Sequence, residues 1–271
     1  MTARLELVRA LQRNETSMMR TLFPADAGIA RRFGIEAAVV DGALCMSDRA
    51  FPIPLLHRAV GFGTLCEVSQ RTLDRVVRFF ALRGLPARVE IAEGIVPARA
   101  ARLLERAGFR RESESHQIHV LQTSVAPRVP EIAGLRVRQA APATFGKAVR
   151  EGFDVGGDLG LLFERASAAH VRTERERAVP LVPFVDGKPA GSALLWLSPR
   201  IAGLYSGSVF ERYRGRGLQL ALIAERVRLG LARRRRIFTS QTEGDGPSAH
   251  NLRDMGFRPL YETAYFIRDT Q

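Results

Sequence analysis

The chain has 271 residues, 46% of them hydrophobic, which is enough for one large or two modest domains with buried cores. Its net charge of +13 is carried by arginine: residues 1–127 contribute +5 (18 basic, 13 acidic) and residues 128–271 contribute +8 (23 basic, 15 acidic). This charge favours anionic partners, including a phosphorylated cofactor, an acidic substrate, nucleic acid or a membrane surface, without choosing between them.

Several classes of protein are excluded by what the sequence lacks. No apolar run approaches the length of a bilayer span, so we expect no membrane segment. Charged residues interrupt the apolar residues near the N-terminus, so we expect no secretory signal. The two cysteines, Cys45 and Cys66, cannot form a disulfide framework or a zinc motif, and the five histidines are scattered. The sequence therefore predicts a cytoplasmic protein that makes no membrane contact and binds no metal.

The first half is predicted to begin with an amphipathic helix at Met1–Gln12 and to alternate strands and helices after it. Asp41-Gly42 lies between apolar runs and is typical of a hairpin turn, whereas Ser69 is suited to cap a helix. The predicted strands are Glu36–Met46 (the hairpin), Val60–Cys66, Arg88–Ala92 and Gln117–Leu121, and the predicted helices are Ser69–Phe80 and Ala98–Arg106.

The second half follows a proline-containing linker at Thr123–Pro130 and has its own alternation of elements. Asp186-Gly187 is again typical of a hairpin turn. On the predicted helix Leu218–Ala232, we expect one apolar face formed by Leu220, Ile223, Ala224, Val227 and Leu231. The other predicted helices are Pro142–Glu151, Leu159–Val171 and Ser248–Met255, and the predicted strands are Leu135–Gln139, Leu181–Val185, Ala190–Leu197, Ile201–Val209, Ile237–Gln241 and Tyr261–Ile267.

A short internal similarity suggests that the two halves are related. Residues 104–110 (LERAGFR) resemble residues 252–258 (LRDMGFR), and each segment is a short helix, a glycine, a phenylalanine and an arginine before a strand. The similarity also fits any junction of this kind, so it supports two tandem domains without excluding chance. The predicted domains are 1–127 and 128–271.

The segment Val209–Gln219 carries the clearest chemistry, because a glycine-containing turn joins a strand to a long helix. Unpaired N–H groups and the positive end of the dipole at a helix N-terminus favour a diphosphate, and Arg214 and Arg216 add full charges. Leu220 occupies the position of the third glycine of a dinucleotide fingerprint, and the chain has no Gly-Lys-Ser/Thr triplet of a P-loop. Both of these diphosphate motifs are therefore excluded.

The remaining pattern, Arg214-Gly215-Arg216-Gly217-Leu218-Gln219, resembles the acyl-CoA loop of the GNAT superfamily of N-acetyltransferases, Gln/Arg-x-x-Gly-x-Gly/Ala. Gln219 departs from that pattern at its last position. The resemblance implies an α/β (α+β) fold of two tandem GNAT-like domains, each a mixed, mostly antiparallel sheet flanked by helices. The first domain would be a degenerate copy, since Val60–Ser69 carries no such loop.

The resemblance also implies acetyl-CoA as acyl donor and an amine as acceptor. Val209 would contact the pantetheine arm, Arg214 to Gln219 would contact the pyrophosphate, and Ser248 and Asn251 would border the CoA arm. Many family members protonate the leaving thiolate with a tyrosine, but Leu252 stands at that place. No catalytic residue is therefore assigned, and the candidate substitutes are Tyr205, Glu211, Tyr261 and Tyr265.

Two further features have competing interpretations. Arg233–Arg236 is interpreted as the solvated end of a helix, with an anion site for the CoA 3′-phosphate or nucleic acid as the alternative. Trp196 is interpreted as a core residue.

The leading hypothesis for the whole chain is an acetyl-CoA-dependent N-acetyltransferase. The alternatives are a catalytically silent acyl-CoA sensor and a nucleic-acid binder, the latter weakened by the lack of aromatic residues near the basic ones. The first half would either cover the active site or mediate formation of a homodimer.

Overall fold

The protein is described here by a computed structural model that covers residues 2–270. The chain forms two compact units, the first made of residues 2–20, 30–118 and 260–270, and the second of residues 21–29 and 119–259. The predicted division at residue 127 stays a prediction. The compact units follow it over most of the chain, but residues 21–29 and 119–127 belong with the second half and residues 260–270 with the first.

Eight α-helices and twelve strands lie within the described residues. The helices are α1 (Thr2–Leu22), α2 (Ala27–Phe33), α3 (Gln70–Ala81), α4 (Arg99–Arg106), α5 (Pro142–Gly152), α6 (Gly157–Thr173), α7 (Leu218–Ala232) and α8 (Pro247–Asp254). The strands are β1 (Glu36–Val40), β2 (Ala43–Ser47), β3 (Arg58–Val60), β4 (Ala87–Ala92), β5 (Arg110–Gln122), β6 (Leu135–Gln139), β7 (Ala178–Val185), β8 (Lys188–Pro189), β9 (Gly191–Leu197), β10 (Ile201–Val209), β11 (Ile237–Glu243) and β12 (Arg258–Arg268). None of the helices in residues 2–270 is long and apolar enough to cross a membrane.

The sheet of the first unit has the strand order β1-β2-β3-β4-β12-β5. β1–β2, β2–β3 and β12–β4 are antiparallel and β3–β4 is parallel. The apolar face of α3, including Leu73, Val76 and Phe80, packs with Val89 and Ile91 of β4 in one buried cluster. Most of the C-terminal strand β12 belongs to this unit, because residues 263–268 pair with β4.

The two hairpin predictions are confirmed, and one predicted strand is wrong. Asp41 and Gly42, and likewise Asp186 and Gly187, adopt positive φ, as a two-residue hairpin turn requires. The strand expected at Val60–Cys66 ends at Val60, because Gly61 has a φ of 97° and its carbonyl oxygen accepts hydrogen bonds from the N–H groups of residues 64, 65 and 66. The apolar residues beyond Gly61 therefore form a compact turn.

Ser69 caps α3, as the sequence predicts, and its removal is expected to cost stability. Its hydroxyl oxygen accepts a hydrogen bond from the Thr72 N–H at 3.2 Å, and its backbone is extended. We expect Ser69→Ala to lower the free energy of unfolding by about 1 kcal/mol, measured by urea denaturation, because the N–H loses its partner. Ser69→Asp restores an acceptor and should recover most of that loss; an unchanged stability in Ser69→Ala would contradict the cap.

In the second unit the strand order is β11-β10-β9-β7-β6, and residues 119–122 of β5 lie beside β11. The β10–β9, β9–β7 and β7–β6 pairs are antiparallel, whereas β10 and β11 are parallel. Trp196 is fully buried, stacks on His170 and lies 4.2 Å from the guanidinium carbon of Arg177, which confirms it as a core residue. Each unit thus contains a mixed, mostly antiparallel sheet flanked by helices, as expected.

Candidate cofactor site

The parallel pair β10–β11 opens into a wedge at the carboxyl ends of its strands. Their register covers only Ile201–Gly203 opposite Ile237–Thr239, although β10 continues to Val209 and β11 to Glu243. At the start of the opening, the Ser240 hydroxyl donates a hydrogen bond to the Leu204 carbonyl oxygen at 3.1 Å. Beyond that point β10 and β11 no longer pair, and the carbonyl oxygens of Tyr205, Ser206 and Val209 accept hydrogen bonds from side chains.

A β-bulge lies in β10 at the same level as the wedge. The register between β10 and β9 shifts between Tyr205 and Ser208, and Ser206 adopts a φ of 46°, which is uncommon for a residue other than glycine. The hydroxyl of Ser192 on β9 donates a hydrogen bond to the Ser206 carbonyl oxygen at 2.9 Å. The bulge is therefore held by a specific contact, and it redirects β10 before the strand ends.

The loop after β10 has the backbone conformation that the sequence suggested. A short 3-10 helix at Glu211–Tyr213 follows the strand, and α7 then begins at Leu218. Gly215 and Gly217 have φ values of 75° and 77°, the left-handed region that glycine adopts at low cost. No atom lies within 4 Å of the position that a Cβ on Gly215 would take, so the loop leaves open space at the start of α7.

The charges around this loop favour an anion. Arg214 and Arg216 are exposed, and neither forms an ion pair with any carboxylate of residues 2–270. Arg214 Nε donates a hydrogen bond to the Val209 carbonyl oxygen at 3.3 Å, which ties its side chain back to the end of β10. Because the first N–H groups of α7 also lack intrahelical partners, the loop provides both donors and positive charge for a diphosphate.

The predicted contact residues lie on β10, on α7 and the loop before it, and on α8. Val209 and residues 214–219 continue β10 into α7, and Ser248 and Asn251 lie on α8, which follows β11. α7 and α8 pack together, with Leu222 and Leu252 in the same buried cluster. Ser248 is exposed and Asn251 is partly buried. The assignment of these residues to the cofactor remains a prediction.

The buried face of α7 differs from the predicted one. Ile223 and Val227 are buried as expected, but Leu220 and Leu231 are only partly buried, and Arg226 is 2% exposed. The hydrophobic pattern does not identify Arg226, because a charged side chain is expected on the solvent-exposed face. Its position three residues after Ile223 and four after Leu222 is the signal that could have found it.

The candidate substitutes for the absent tyrosine are divided between the two units. Tyr261 and Tyr265 belong to the first unit, where the Tyr265 hydroxyl lies 2.8 Å from His116 Nδ1. Tyr205 is on β10 and 9% exposed, and Glu211 is exposed directly after β10. Only these last two belong to the unit that carries the glycine loop, and neither is assigned a catalytic role.

The arginine run Arg233–Arg236 lies at the end of α7 opposite the glycine loop. Arg235 Nε donates a hydrogen bond to the Ser198 carbonyl oxygen at 2.6 Å, and the guanidinium of Arg236 donates one to the Ser124 carbonyl oxygen at 3.2 Å. These contacts support the interpretation of the run as a helix end held by backbone carbonyl groups.

No protein-family model matches this sequence, and no curated protein matches it. Solved structures do match the fold. A GCN5-related N-acetyltransferase from Kribbella flavida is 15% identical, with 92% of this chain and 95% of that chain covered at a TM-score of 0.64. A tandem GNAT protein from the clavulanic acid biosynthesis pathway is 14% identical, with 95% and 94% covered at a TM-score of 0.66. A GCN5-related N-acetyltransferase from Sphaerobacter thermophilus is 15% identical, with 96% and 93% covered at a TM-score of 0.58.

At these identities the similarity establishes the fold. The chain has the fold of the GNAT N-acetyltransferases, in the tandem arrangement that the sequence resemblance implied. A fold does not determine a function, so the ligand and the activity have to be argued from the residues of this chain.

Proposed function

We propose that the protein is an acetyl-CoA-dependent N-acetyltransferase whose acyl donor is held by the second unit. The observation that carries this proposal is the continuity of the wedge, the bulge and the loop, since β10 opens from β11, bulges at Ser206 and leads into the left-handed Gly215–Gly217 turn. An extended pantetheine arm would lie along β10 where that strand has separated from β11, and its pyrophosphate would meet the start of α7.

The loop fits a pyrophosphate by both conformation and charge. Its glycines avoid side chains where a ligand would approach, and two arginines without carboxylate partners stand beside the helix N-terminus. The residues proposed to contact the donor are Val209, Arg214, Gly215, Arg216, Gly217, Leu218, Gln219, Ser248 and Asn251.

The proposed reaction is a direct transfer. A neutral amine attacks the thioester carbonyl, the new C–N bond forms, the C–S bond breaks, and the electron pair leaves on sulfur. The proton lost by the nitrogen passes to water or to a base. We propose that backbone N–H groups of β10 near the bulge polarise the carbonyl.

Two measurements on the full chain test the proposal. Isothermal titration with CoA and acetyl-CoA should give saturable binding near one equivalent per chain, weakened by salt because the site is cationic. Thiol release from acetyl-CoA should then rise when a panel of small primary amines or amine-bearing peptides is added. No binding of either ligand would disprove the donor site.

A silent acyl-CoA sensor is the second candidate function. The observation that motivates it is Leu252, which is 4% exposed in an apolar cluster at the place of the usual acid. Binding of acetyl-CoA without thiol release across the whole amine panel would favour the sensor, whereas turnover with any amine would exclude it.

A further inference from the structure

Arg226 is a buried cation without a counter-ion. It is 2% exposed, and within residues 2–270 no carboxylate forms an ion pair with it. Its Nε donates a hydrogen bond to the Leu222 carbonyl oxygen at 3.0 Å, and one terminal nitrogen donates to the Tyr205 carbonyl oxygen at 3.4 Å. Burial lowers the pKa of Arg226 to about 9, so the guanidinium still carries its charge at neutral pH.

The head of Arg226 lies directly on the bulge of β10. Its two terminal nitrogens are 3.2 and 3.3 Å from the position that a Cβ on Gly207 would take, and Gln219 Nε2 is 3.4 Å from the same point. Two polar side chains of α7 thus meet the one residue of the bulge that has no side chain. Both lie at the level where β10 has separated from β11.

Burying Arg226 without a counter-ion costs folding free energy, because an isolated cation loses its hydration in an apolar interior. The hydrogen bonds to two backbone carbonyl groups satisfy part of the guanidinium but supply no negative charge. A group that becomes negatively charged in the wedge would complete the site. In the proposed reaction, the group that becomes negative as the bond breaks is the sulfur of the acyl donor.

We infer that Arg226 stabilises the CoA thiolate as it leaves. The positive charge of Arg226 would stabilise the sulfur electrostatically, whereas a tyrosine, where one is present, protonates it. The C–S electron pair goes to sulfur, the sulfur leaves as the thiolate, and no proton transfer to it is required in that step. The inference rests on the proposed function, because it needs CoA in the wedge.

Arg226 lies well beyond the proposed pyrophosphate site along α7. Arg226 is nine residues after Gly217, a distance of about 13 Å along a helix with a rise of 1.5 Å per residue. The bulge at Ser206 and Gly207 is likewise two to three residues before the end of β10 at Val209. Because the effective dielectric constant between α7 and the sheet is well below that of water, a unit charge there acts strongly on a nearby anion.

The test measures the pKa of the CoA thiol in the complex, which needs no acceptor amine. The thiolate absorbs in the near ultraviolet, so the bound thiol can be titrated directly. The complex with desulfo-CoA is subtracted, which removes the titration of protein groups such as Tyr205 and His119. We expect the thiol pKa to be lower in the wild-type complex than in free CoA, and to rise by about one unit or more in Arg226→Gln.

Three variants separate the charge from the structure. Arg228→Gln removes an arginine from the same helix, but Arg228 is exposed and paired with Glu225, so the thiol pKa should stay close to the wild-type value. Arg226→Lys retains the charge and should retain most of the shift. Gln219→Glu places a carboxylate beside Arg226 and should raise the thiol pKa although the arginine is present.

The outcomes distinguish this inference from the proposed function. Absence of CoA binding in the wild type would overturn both. Binding with an unshifted thiol pKa in the wild type would overturn the inference alone, and that measurement needs no variant to fold. Equal shifts in Arg226→Gln and Arg228→Gln would also overturn it, because they would assign the effect to net charge.

Discussion

Gly217→Asp is expected to weaken CoA binding by at least about 100-fold while leaving the protein folded. Two unit charges about 4 Å apart near a protein surface repel by about 4 kcal/mol, which exceeds the roughly 2.7 kcal/mol of a 100-fold loss. The new carboxylate would stand at the residue that precedes α7, where the pyrophosphate is proposed to bind.

The fold should tolerate this substitution for two reasons. The only atom within 4 Å of the new Cβ is Cδ1 of Ile132 at 3.5 Å, an ordinary contact. Asp is also favoured at the position before a helix and enters the left-handed region more readily than most residues, which offsets part of the strain from a φ of 77°. Isothermal titration measures the binding, and urea denaturation measures the stability.

Gly187→Asp is the matched control. Gly187 has a φ of 78°, no atom lies within 4 Å of its Cβ position, and it belongs to the turn before β8 rather than to the loop. It therefore receives the same charge under the same backbone strain in the same unit. We expect unchanged CoA binding in this variant; if Gly217→Asp also bound CoA like the wild type, the assignment of the loop would be wrong.

The elements that could be predicted from the sequence are those determined by local chemistry. The bounds of β10 and α7 were predicted as the structure has them, because a β-branched and apolar strand, a Gly-x-Gly turn and a periodic helix each leave a local pattern. The Asp-Gly hairpins were found for the same reason. The GNAT fold followed from the loop and the order of elements after it, and the structural similarity confirms it.

The features that could not be predicted depend on contacts distant in sequence. The wedge is defined by where β10 and β11 stop pairing, and the bulge places Ser206, rather than the adjacent Gly207, at positive φ. The C-terminal strand lies in the first unit because it pairs with β4, and no local sequence pattern encodes that pairing. Buried charges such as Arg226 are also missed, because the hydrophobic pattern assigns every arginine to solvent.

The first unit contains a buried arginine, Arg58, that lies beside two buried carboxyl groups. One terminal nitrogen of Arg58 lies 2.7 Å from Glu15 Oε1, and its Nε lies 2.9 Å from Glu90 Oε2. The second contact is close but not aligned as a hydrogen bond, and neither carboxylate oxygen of Glu90 has a hydrogen-bond partner. One buried cation thus faces two buried carboxyl groups.

The proton balance of this cluster follows from its burial. Desolvation raises the pKa of Glu90 to about 8, while Arg58 opposes the rise and Glu15 adds to it. His116, which accepts or donates the hydrogen bond to Tyr265, has its pKa lowered to about 4 by burial and by Arg58, so it is neutral at pH 7. At neutral pH the stable arrangement is therefore one in which Glu90 retains its proton.

Arg58→Met is expected to destabilise the protein by about 3–5 kcal/mol at pH 8, because it leaves buried carboxylates without their cation. The raised pKa of Glu90 means that its stabilising contribution is complete below its unfolded value near 4.5 and is lost as the pH rises toward about 8. The deficit of Arg58→Met should accordingly be smaller at pH 5, where the carboxyl groups of the cluster can take up protons at less cost. Urea denaturation at both pH values, followed by circular dichroism because the sole tryptophan lies in the other unit, measures the difference.

Arg75→Met provides the comparison, since Arg75 also pairs with a carboxylate, Asp41 at 2.5 Å, but is 48% exposed. An exposed pair of this kind contributes less than about 1 kcal/mol and should give nearly the same small deficit at both pH values. A cost of Arg58→Met no larger than that of Arg75→Met would mean that solvent reaches the cluster and that its charges are screened. Glu90→Gln mimics the protonated carboxyl group and cannot titrate, so in that case it should leave the free energy of unfolding unchanged. If water does not reach the cluster, Glu90→Gln should instead stabilise the protein at pH 8 and remove the fall in stability between pH 5 and pH 8.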